Sequence, residues 1–204
     1  MAKLFDPESG AGNLIGMICD IFLLSICWLL CSVPIFTIGA ASTALYDAVV
    51  HGFRFKEGGI YARFFRTFRR EFGLSTLCWL MWLALIALSL YAYMTLIVGF
   101  GESGMTLVFT ALGLAAILIP LGISCWVFPV LSRFTYNFGG LNKAAAAVAG
   151  VNILYTLIII ASLILAIVLC LWLWLPILFM PALLNLFWSV FMEKGFTMLM
   201  PEEE

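Results

Sequence analysis

The sequence predicts an all-α polytopic membrane protein with about five transmembrane helices and one basic amphipathic helix at the membrane surface. Of its 204 residues, 65% are hydrophobic and only 10% are charged, whereas a soluble domain carries about 25% charged residues. Apolar runs long enough to cross a bilayer recur along the chain, and helices in such runs satisfy their own backbone hydrogen bonds. We therefore expect one membrane domain over residues 1–204, with lipid as its solvent.

Five apolar segments are predicted to be membrane spans. A span needs about 20 apolar residues, and the first four segments meet that length. The fifth is short, contains Pro181 and follows the fourth after only Pro176, so it is either a short tilted span or a re-entrant segment. The predicted spans cover residues 14–36, 74–98, 105–132, 151–174 and 177–192.

The distribution of basic residues predicts the orientation in the membrane. Six of the ten basic residues fall between Arg54 and Arg70. If all five segments cross with the N-terminus outside, Lys3 is the only basic residue outside, as the positive-inside rule requires. The first segment is too long and its start too acidic for a signal peptide, so we expect it to be retained. The charge distribution therefore predicts an N-terminus outside and a C-terminus in the cytoplasm.

A break is predicted after the first span. Pro34 removes a backbone donor there, and Gly39 can adopt a positive φ that ends the helix. Ser42 or Thr43 can then cap a second helix from about 42 to 51, whose free N–H groups could bind an anion or polar solute. The alternative is a tight turn that lets two helices pack closely. The residues of this predicted solute or anion site are Pro34, Thr37, Gly39, Ser42, Thr43 and Asp47.

A basic amphipathic helix is predicted over residues 61–72. At 100° per residue, five aromatic side chains share one narrow face and arginines lie opposite or at the flank. Such a helix lies in the membrane interface with its arginines near anionic headgroups; docking of a cytoplasmic partner is the alternative. Nucleic acid is a poor partner because the aromatic side chains share the buried face. The aromatic residues are Tyr61, Phe64, Phe65, Phe68 and Phe72, and the arginines are Arg63, Arg66, Arg69 and Arg70.

Three residues with a carboxylate or amide side chain fall inside the apolar segments: Asp20, Asn152 and Asn185. An ionisable group in a span suggests function because its burial is costly, although Asp20 lies close enough to the end of its span to reach water at the outer surface. The two asparagines could hydrogen-bond across helices. Asp47 precedes His51 by four residues, which allows a local ion pair.

Catalytic and metal-binding patterns are not found in the sequence. His51 is the only histidine and has no nearby cysteine, which disfavours a metal site. No serine–histidine–aspartate triad, cysteine–histidine pair or phosphate-binding glycine loop can be assembled. The six cysteines lie in apolar segments, which is typical of buried free thiols. The sequence therefore predicts a protein that is not an enzyme and has no catalytic residue, metal site or cofactor.

Two runs, WLLCSVPIFTIGAASTALYDAVV and RFFRTFRREFGLSTLCWL, resemble the YesL family of bacterial integral membrane proteins, a domain of unknown function. The resemblance covers about the first 90 residues. The sequence departs from the family pattern at Asp47 and His51, where apolar or basic residues are commoner. The residues that carry the resemblance are Pro34, Thr37, Gly39, Thr43, Ala44, Leu45, Tyr46, Phe64, Phe65 and Phe68.

The resemblance implies a bacterial cell membrane, and genes of the family commonly lie near carbohydrate importers. It therefore implies a non-enzymatic accessory protein whose partners are the lipid bilayer and a carbohydrate ABC importer or another membrane protein. The alternative function is a small-solute carrier or channel, because the first helix is broken and prolines interrupt later spans.

Overall fold

The computed structural model describes residues 10–100, 106–173 and 175–196, and these ranges contain helices and no strand. The all-α prediction is confirmed. Short turns of 3-10 helix occur at Ile35–Thr37 and Leu175–Leu178, and a π-helical turn at Val50–Arg54. The α-helices are α1 (Gly10–Ser32), α2 (Ile38–Val49), α3 (Ile60–Arg70), α4 (Phe72–Phe100), α5 (Thr106–Arg133), α6 (Phe138–Val151), α7 (Ile153–Trp172) and α8 (Met180–Gly195).

Four of these helices, α1, α4, α5 and α7, are long and apolar enough to cross a membrane. Their outward side chains are mostly leucine, isoleucine and valine, which lipid solvates and water does not. The chain is therefore a multi-pass membrane protein. The fifth predicted span, 177–192, falls on a 3-10 turn and on α8. Helix α8 has 16 residues, and its last turn contains Glu193 and Lys194. Its crossing of the membrane stays a prediction. The described residues do not include Lys3, either chain end, or positions 105 and 174 of the predicted spans.

The predicted break follows α1, but the second helix begins at Ile38 and not near residue 42. The hydroxyl of Thr37 lies within hydrogen-bond distance of the carbonyl oxygens of Cys31, at 2.5 Å, and Pro34, at 2.6 Å, and can donate its one proton to either. The Cys31 carbonyl is one of those that lose a helical partner at the end of α1. Ser42 and Thr43 consequently lie inside α2, and their predicted role as its cap is wrong.

Gly39 also has a different role from the predicted one. It lies within α2, and among the described residues only Lys56 and Gly59 have a positive φ. A Cβ atom at Gly39 would lie 2.6 Å from the carbonyl oxygen of Ser75 and 2.7 Å from Cβ of Trp79. The missing side chain lets α2 approach α4, as small residues do in membrane helix packing, and the prediction that Gly39 ends a helix is wrong.

Helix α2 lies at the centre of the protein. Ten of its twelve residues are buried, and it packs against α1, α3, α4, α5 and α8. Leu45 and Val49 belong to an apolar cluster with α1 and α3, whereas Tyr46 belongs to a second cluster with α5, α6 and α8. The two polar residues near the end of α2, Tyr46 and Asp47, are therefore placed between different neighbours.

Candidate functional site

The carboxylate of Asp47 is the centre of a buried polar network between α2 and α3. Only 4% of the residue is exposed. Its Oδ2 accepts a hydrogen bond from the hydroxyl of Thr67 at 2.6 Å and from Nε of Arg63 at 3.1 Å. Its Oδ1 lies 3.0 Å from Nδ1 of His51. Nδ1 of His51 also lies 2.9 Å from the backbone carbonyl oxygen of Asp47. Because the carbonyl oxygen and the carboxylate Oδ1 can only accept hydrogen bonds, the geometry assigns the proton to Nδ1.

The side chain of Arg63 is turned towards α2. Besides Asp47, it pairs with Glu57 of the preceding loop at 2.5 Å. The other predicted arginines differ: Arg66 and Arg69 are exposed, and Arg70 pairs with Glu71 at 2.6 Å. The buried face of α3 is consequently rotated from the predicted aromatic face, because the Asp47 carboxylate draws Arg63 inwards.

The aromatic side chains of α3 follow the same rotation. Phe64 is fully buried and packs in the cluster of α1 and α2, while Phe65 is exposed. Phe68 stacks on Phe64 with ring centroids 6.4 Å apart. Phe64 therefore lies on the face that packs against the protein and Phe65 does not. The insertion of the aromatic face into the membrane interface stays a prediction.

A second polar network joins α2 to α5 and α8. The hydroxyl of Tyr46 donates to Oε1 of Glu193 at 3.1 Å, and Arg133 forms an ion pair with the same carboxylate. The guanidinium of Arg133 also lies 4.9 Å from the ring centroid of Phe55, within the range of a cation–π interaction. Burial, followed by the negative charge and the hydrogen bond of Glu193, raises the pKa of Tyr46 well above its usual value.

Sequence reasoning did not identify Glu193 as a site residue. One signal was present, because Glu193 is the only acidic residue between positions 151 and 196 and it ends an apolar segment. A single acid in such a place suggests a basic partner at the end of another helix. The choice of Arg133 depends on how α5 and α8 pack.

Asp20 contacts α3, because the hydroxyl of Tyr61 donates to its Oδ1 at 2.6 Å. This bond was not predicted, and the access of Asp20 to water stays a prediction. Burial, and then the hydrogen bond to Asp20, raise the pKa of Tyr61 above its usual value. Asp20 and Asp47 therefore hold the two halves of α3 against α1 and α2.

The six residues of the predicted solute or anion site do not surround one open space. Thr37, Gly39, Thr43 and Asp47 are buried, and the Thr43 hydroxyl donates to the Gly39 carbonyl at 3.0 Å. Of the six, Ser42 lines the cavity described below. Binding of a solute or anion at the helix break stays a prediction, and most of its proposed polar groups already have partners within the protein.

The cavity that Ser42 lines has a volume of about 550 Å³ and lies between α1, α2, α4, α5, α7 and α8. Asn185 also lines it, with Nδ2 donating to the Pro181 carbonyl at 2.8 Å. Asn152 lies elsewhere, at the junction of α6 and α7, and donates to the Val148 carbonyl at 3.1 Å. The lining is mostly apolar, which does not favour sugars or anions because their polar groups need partners when buried. The small-solute carrier or channel stays a prediction.

The cysteine side chains differ in exposure more than we expected. Cys78 and Cys125 are buried, Cys27, Cys31 and Cys170 are half-buried, and Cys19 is exposed on α1. All six are free thiols. Within the described ranges, the potential metal-ligating side chains form no group of three or more.

Residues 21–93 match the model of a family described as a protein of unknown function, DUF624. The matched range runs from α1 into α4 and contains the helix break, Asp47 and the whole of α3. Arg133 and Glu193 lie beyond it. Neither the curated proteins nor the solved structures contain a match to the chain.

Proposed function

We propose that the protein is a non-enzymatic accessory protein of a bacterial cell membrane that binds another membrane protein through α3. A carbohydrate ABC importer is the proposed partner class. The resemblance to the YesL family supports this choice, since genes of that family lie near such importers. The match of residues 21–93 to a family of unknown function agrees with a membrane protein that has no known catalytic activity.

The fixed rotation of α3 carries the proposal. Arg63 and Thr67 are held by Asp47, and Tyr61 is held by Asp20. A helix that only rests among lipid headgroups does not need such anchors, because its apolar face is sufficient to orient it. Anchoring leaves Phe65 and Arg66 exposed in a defined arrangement, and aromatic and arginine side chains are the types that dominate the binding energy of protein interfaces.

Arg66→Glu is the test of this surface. In mild detergent, the wild-type protein should capture importer subunits from native bacterial membranes, quantified by mass spectrometry. The variant should recover about tenfold less, which corresponds to about 1.4 kcal/mol of binding free energy. Lys143→Glu is the matched control, because it reverses an exposed positive charge on α6 and should leave capture unchanged.

Three results would count against the proposal. Recovery of no membrane protein above background would remove the accessory role. Equal loss in Arg66→Glu and Lys143→Glu would remove α3 as the binding surface. Unchanged capture by Arg66→Glu, together with weaker binding to anionic vesicles, would assign α3 to lipid headgroups.

The proposed orientation has α3 on the cytoplasmic side, which the excess of basic residues between Arg54 and Arg70 supports. Tyr61 on α3 donates to Asp20 in the N-terminal half of α1, and Trp28, further along α1, donates to Ser42 on the returning α2. The N-terminal half of α1 therefore lies against α3, which does not fit the predicted location of the N-terminus outside.

Gly58→Cys tests the cytoplasmic location of α3 in a background without the six native cysteines, because position 58 is exposed and a side chain there would have open space around it. A membrane-impermeant maleimide should label this thiol only after cells are permeabilised. Labelling in intact cells would reverse the orientation.

A further inference from the structure

The lining of the apolar cavity extends along two helices. It runs from Leu121 to Pro129 on α5 and from Leu163 to Leu171 on α7. Each range corresponds to about 12 Å at 1.5 Å per residue. The volume of about 550 Å³ falls in the range of about 300–1,000 Å³ that is typical of small-molecule sites.

Three tryptophans present carbon surface to the cavity, because the polar atom of each ring is used elsewhere. Every indole N–H donates a hydrogen bond to a protein oxygen and is not available to a ligand. The donors are Trp28, Trp79 and Trp188, and the respective acceptors are Ser42 Oγ at 3.2 Å, Ile35 O at 2.8 Å and Ser162 Oγ at 2.8 Å.

The polar side chains of the lining are similarly engaged. The hydroxyl of Ser124 donates to the Leu121 carbonyl at 2.7 Å, and the amide of Asn185 donates within α8. A sugar or an ion would therefore find few free donors here to replace its hydration, at a cost of about 1–3 kcal/mol for each unpaired group. A hydrocarbon chain loses nothing of this kind.

The cavity is continuous with the surface that faces lipid. Ile167 and Leu171 line it, and they are 52% and 75% exposed, which places them at the opening of the cavity. Because α7 is one of the candidate spans, the molecules at this opening are membrane lipids. We propose that one acyl chain of a membrane phospholipid enters from the bilayer and occupies the cavity between α5, α7 and α8. This proposal is independent of the importer partner.

Ala166→Phe is designed to fill the site. Ala166 lines the cavity and is buried, so a phenyl ring there occupies the space of the chain. Ala161→Phe is the matched control, because it makes the same change on the same helix at an exposed position outside the lining. Cys170→Phe, at a half-buried lining residue, is a second filling variant should Ala166→Phe not fold.

The full chain is reconstituted in phosphatidylcholine vesicles that contain a phosphatidylcholine with a photoreactive diazirine in the middle of one chain. After illumination, labelled residues are mapped by mass spectrometry. We expect labels within 121–129 and 163–171, and an about tenfold lower yield there in the filling variants, equivalent to about 1.4 kcal/mol. Labels at the lipid-facing Leu154 and Leu157 should not change and serve as an internal reference.

Native mass spectrometry of the purified protein provides the second readout. The wild-type protein and Ala161→Phe should retain one phospholipid, and the filling variants should lose it. Equal labelling of the cavity in filled and control variants would overturn the proposal, as would labels at Leu154 and Leu157 without any in the lining. Retention of a free fatty acid in place of a phospholipid would overturn the assigned source of the chain.

Discussion

Asp47→Ala should destabilise the protein far more than Glu57→Gln, although both substitutions remove a carboxylate from the same arginine. Asp47 is 4% exposed and Glu57 is 51% exposed, with Arg63 between them at 23%. Removing one partner of a buried ion pair costs about 3–5 kcal/mol because a buried charge is left unpaired. Removing a solvent-exposed partner costs about 0.2–1 kcal/mol.

The lower end of the buried range applies to Asp47→Ala. Arg63 keeps Glu57 as a partner and has some access to water, so its charge is not fully stranded. The cost is then about 3 kcal/mol, which for a chain of this length corresponds to a melting temperature lower by about 6–12 °C, at about 2–4 °C per kcal/mol. Asp47→Asn retains an acceptor for Thr67 and should fall between the two other variants.

Thermal unfolding in detergent micelles is the assay, followed with a dye that fluoresces on reaction with thiols. Cys78 and Cys125 are buried and should react only as the helices separate. Far-UV circular dichroism before heating verifies that each variant is folded. Should Asp47→Ala and Glu57→Gln melt at the same temperature, the Asp47 network would not hold α3 on α2, and our account of the anchored helix would be refuted.

Other predictions use the same assay. Tyr46→Phe removes the hydrogen bond to the Glu193 carboxylate and should cost about 1.5–3 kcal/mol, the usual range for a bond to a charged group; an unchanged melting temperature would contradict this. Gly39→Ala should destabilise the protein by about 1–3 kcal/mol through overpacking against α4. Gly150→Ala has open space around it in α6 and should stabilise the protein by about 0.5–1 kcal/mol. Equal effects of the two substitutions would show that α2 does not approach α4 so closely. Folding raises the pKa of both Tyr46 and Tyr61, so the unfolded chain releases their protons first and stability should fall as the pH rises above about 10. That fall should be smaller in Tyr46→Phe, as seen in melting temperatures measured across the alkaline range.

The basic helix illustrates what could be predicted from residue spacing. The sequence predicts a helix over residues 61–72, and the structure has one at Ile60–Arg70. The rotation of this helix was not predictable, because spacing places Arg63 opposite the aromatic side chains while the buried Asp47 draws it inwards. An amphipathic pattern records which side chains prefer to be buried and contains no information on a charged group of another helix.

The helix break illustrates the same limit for a turn. Pro34 was sufficient to predict that α1 ends near it, because a proline cannot donate a backbone hydrogen bond. The position at which α2 begins depends on Thr37 and on the approach of α4 to Gly39, and neither can be read from local propensity.

Composition and periodicity alone determined that the chain is helical and lies in a membrane, because both follow from the free energy of transferring individual side chains and backbone groups between water and lipid. They also located the basic surface and the end of the first helix. Only the tertiary structure decided that Glu193 pairs with Arg133, that Asp47 anchors α3, and that six helices enclose an apolar cavity. Those features depend on distances between residues far apart in the chain, and such distances arise from packing as a whole.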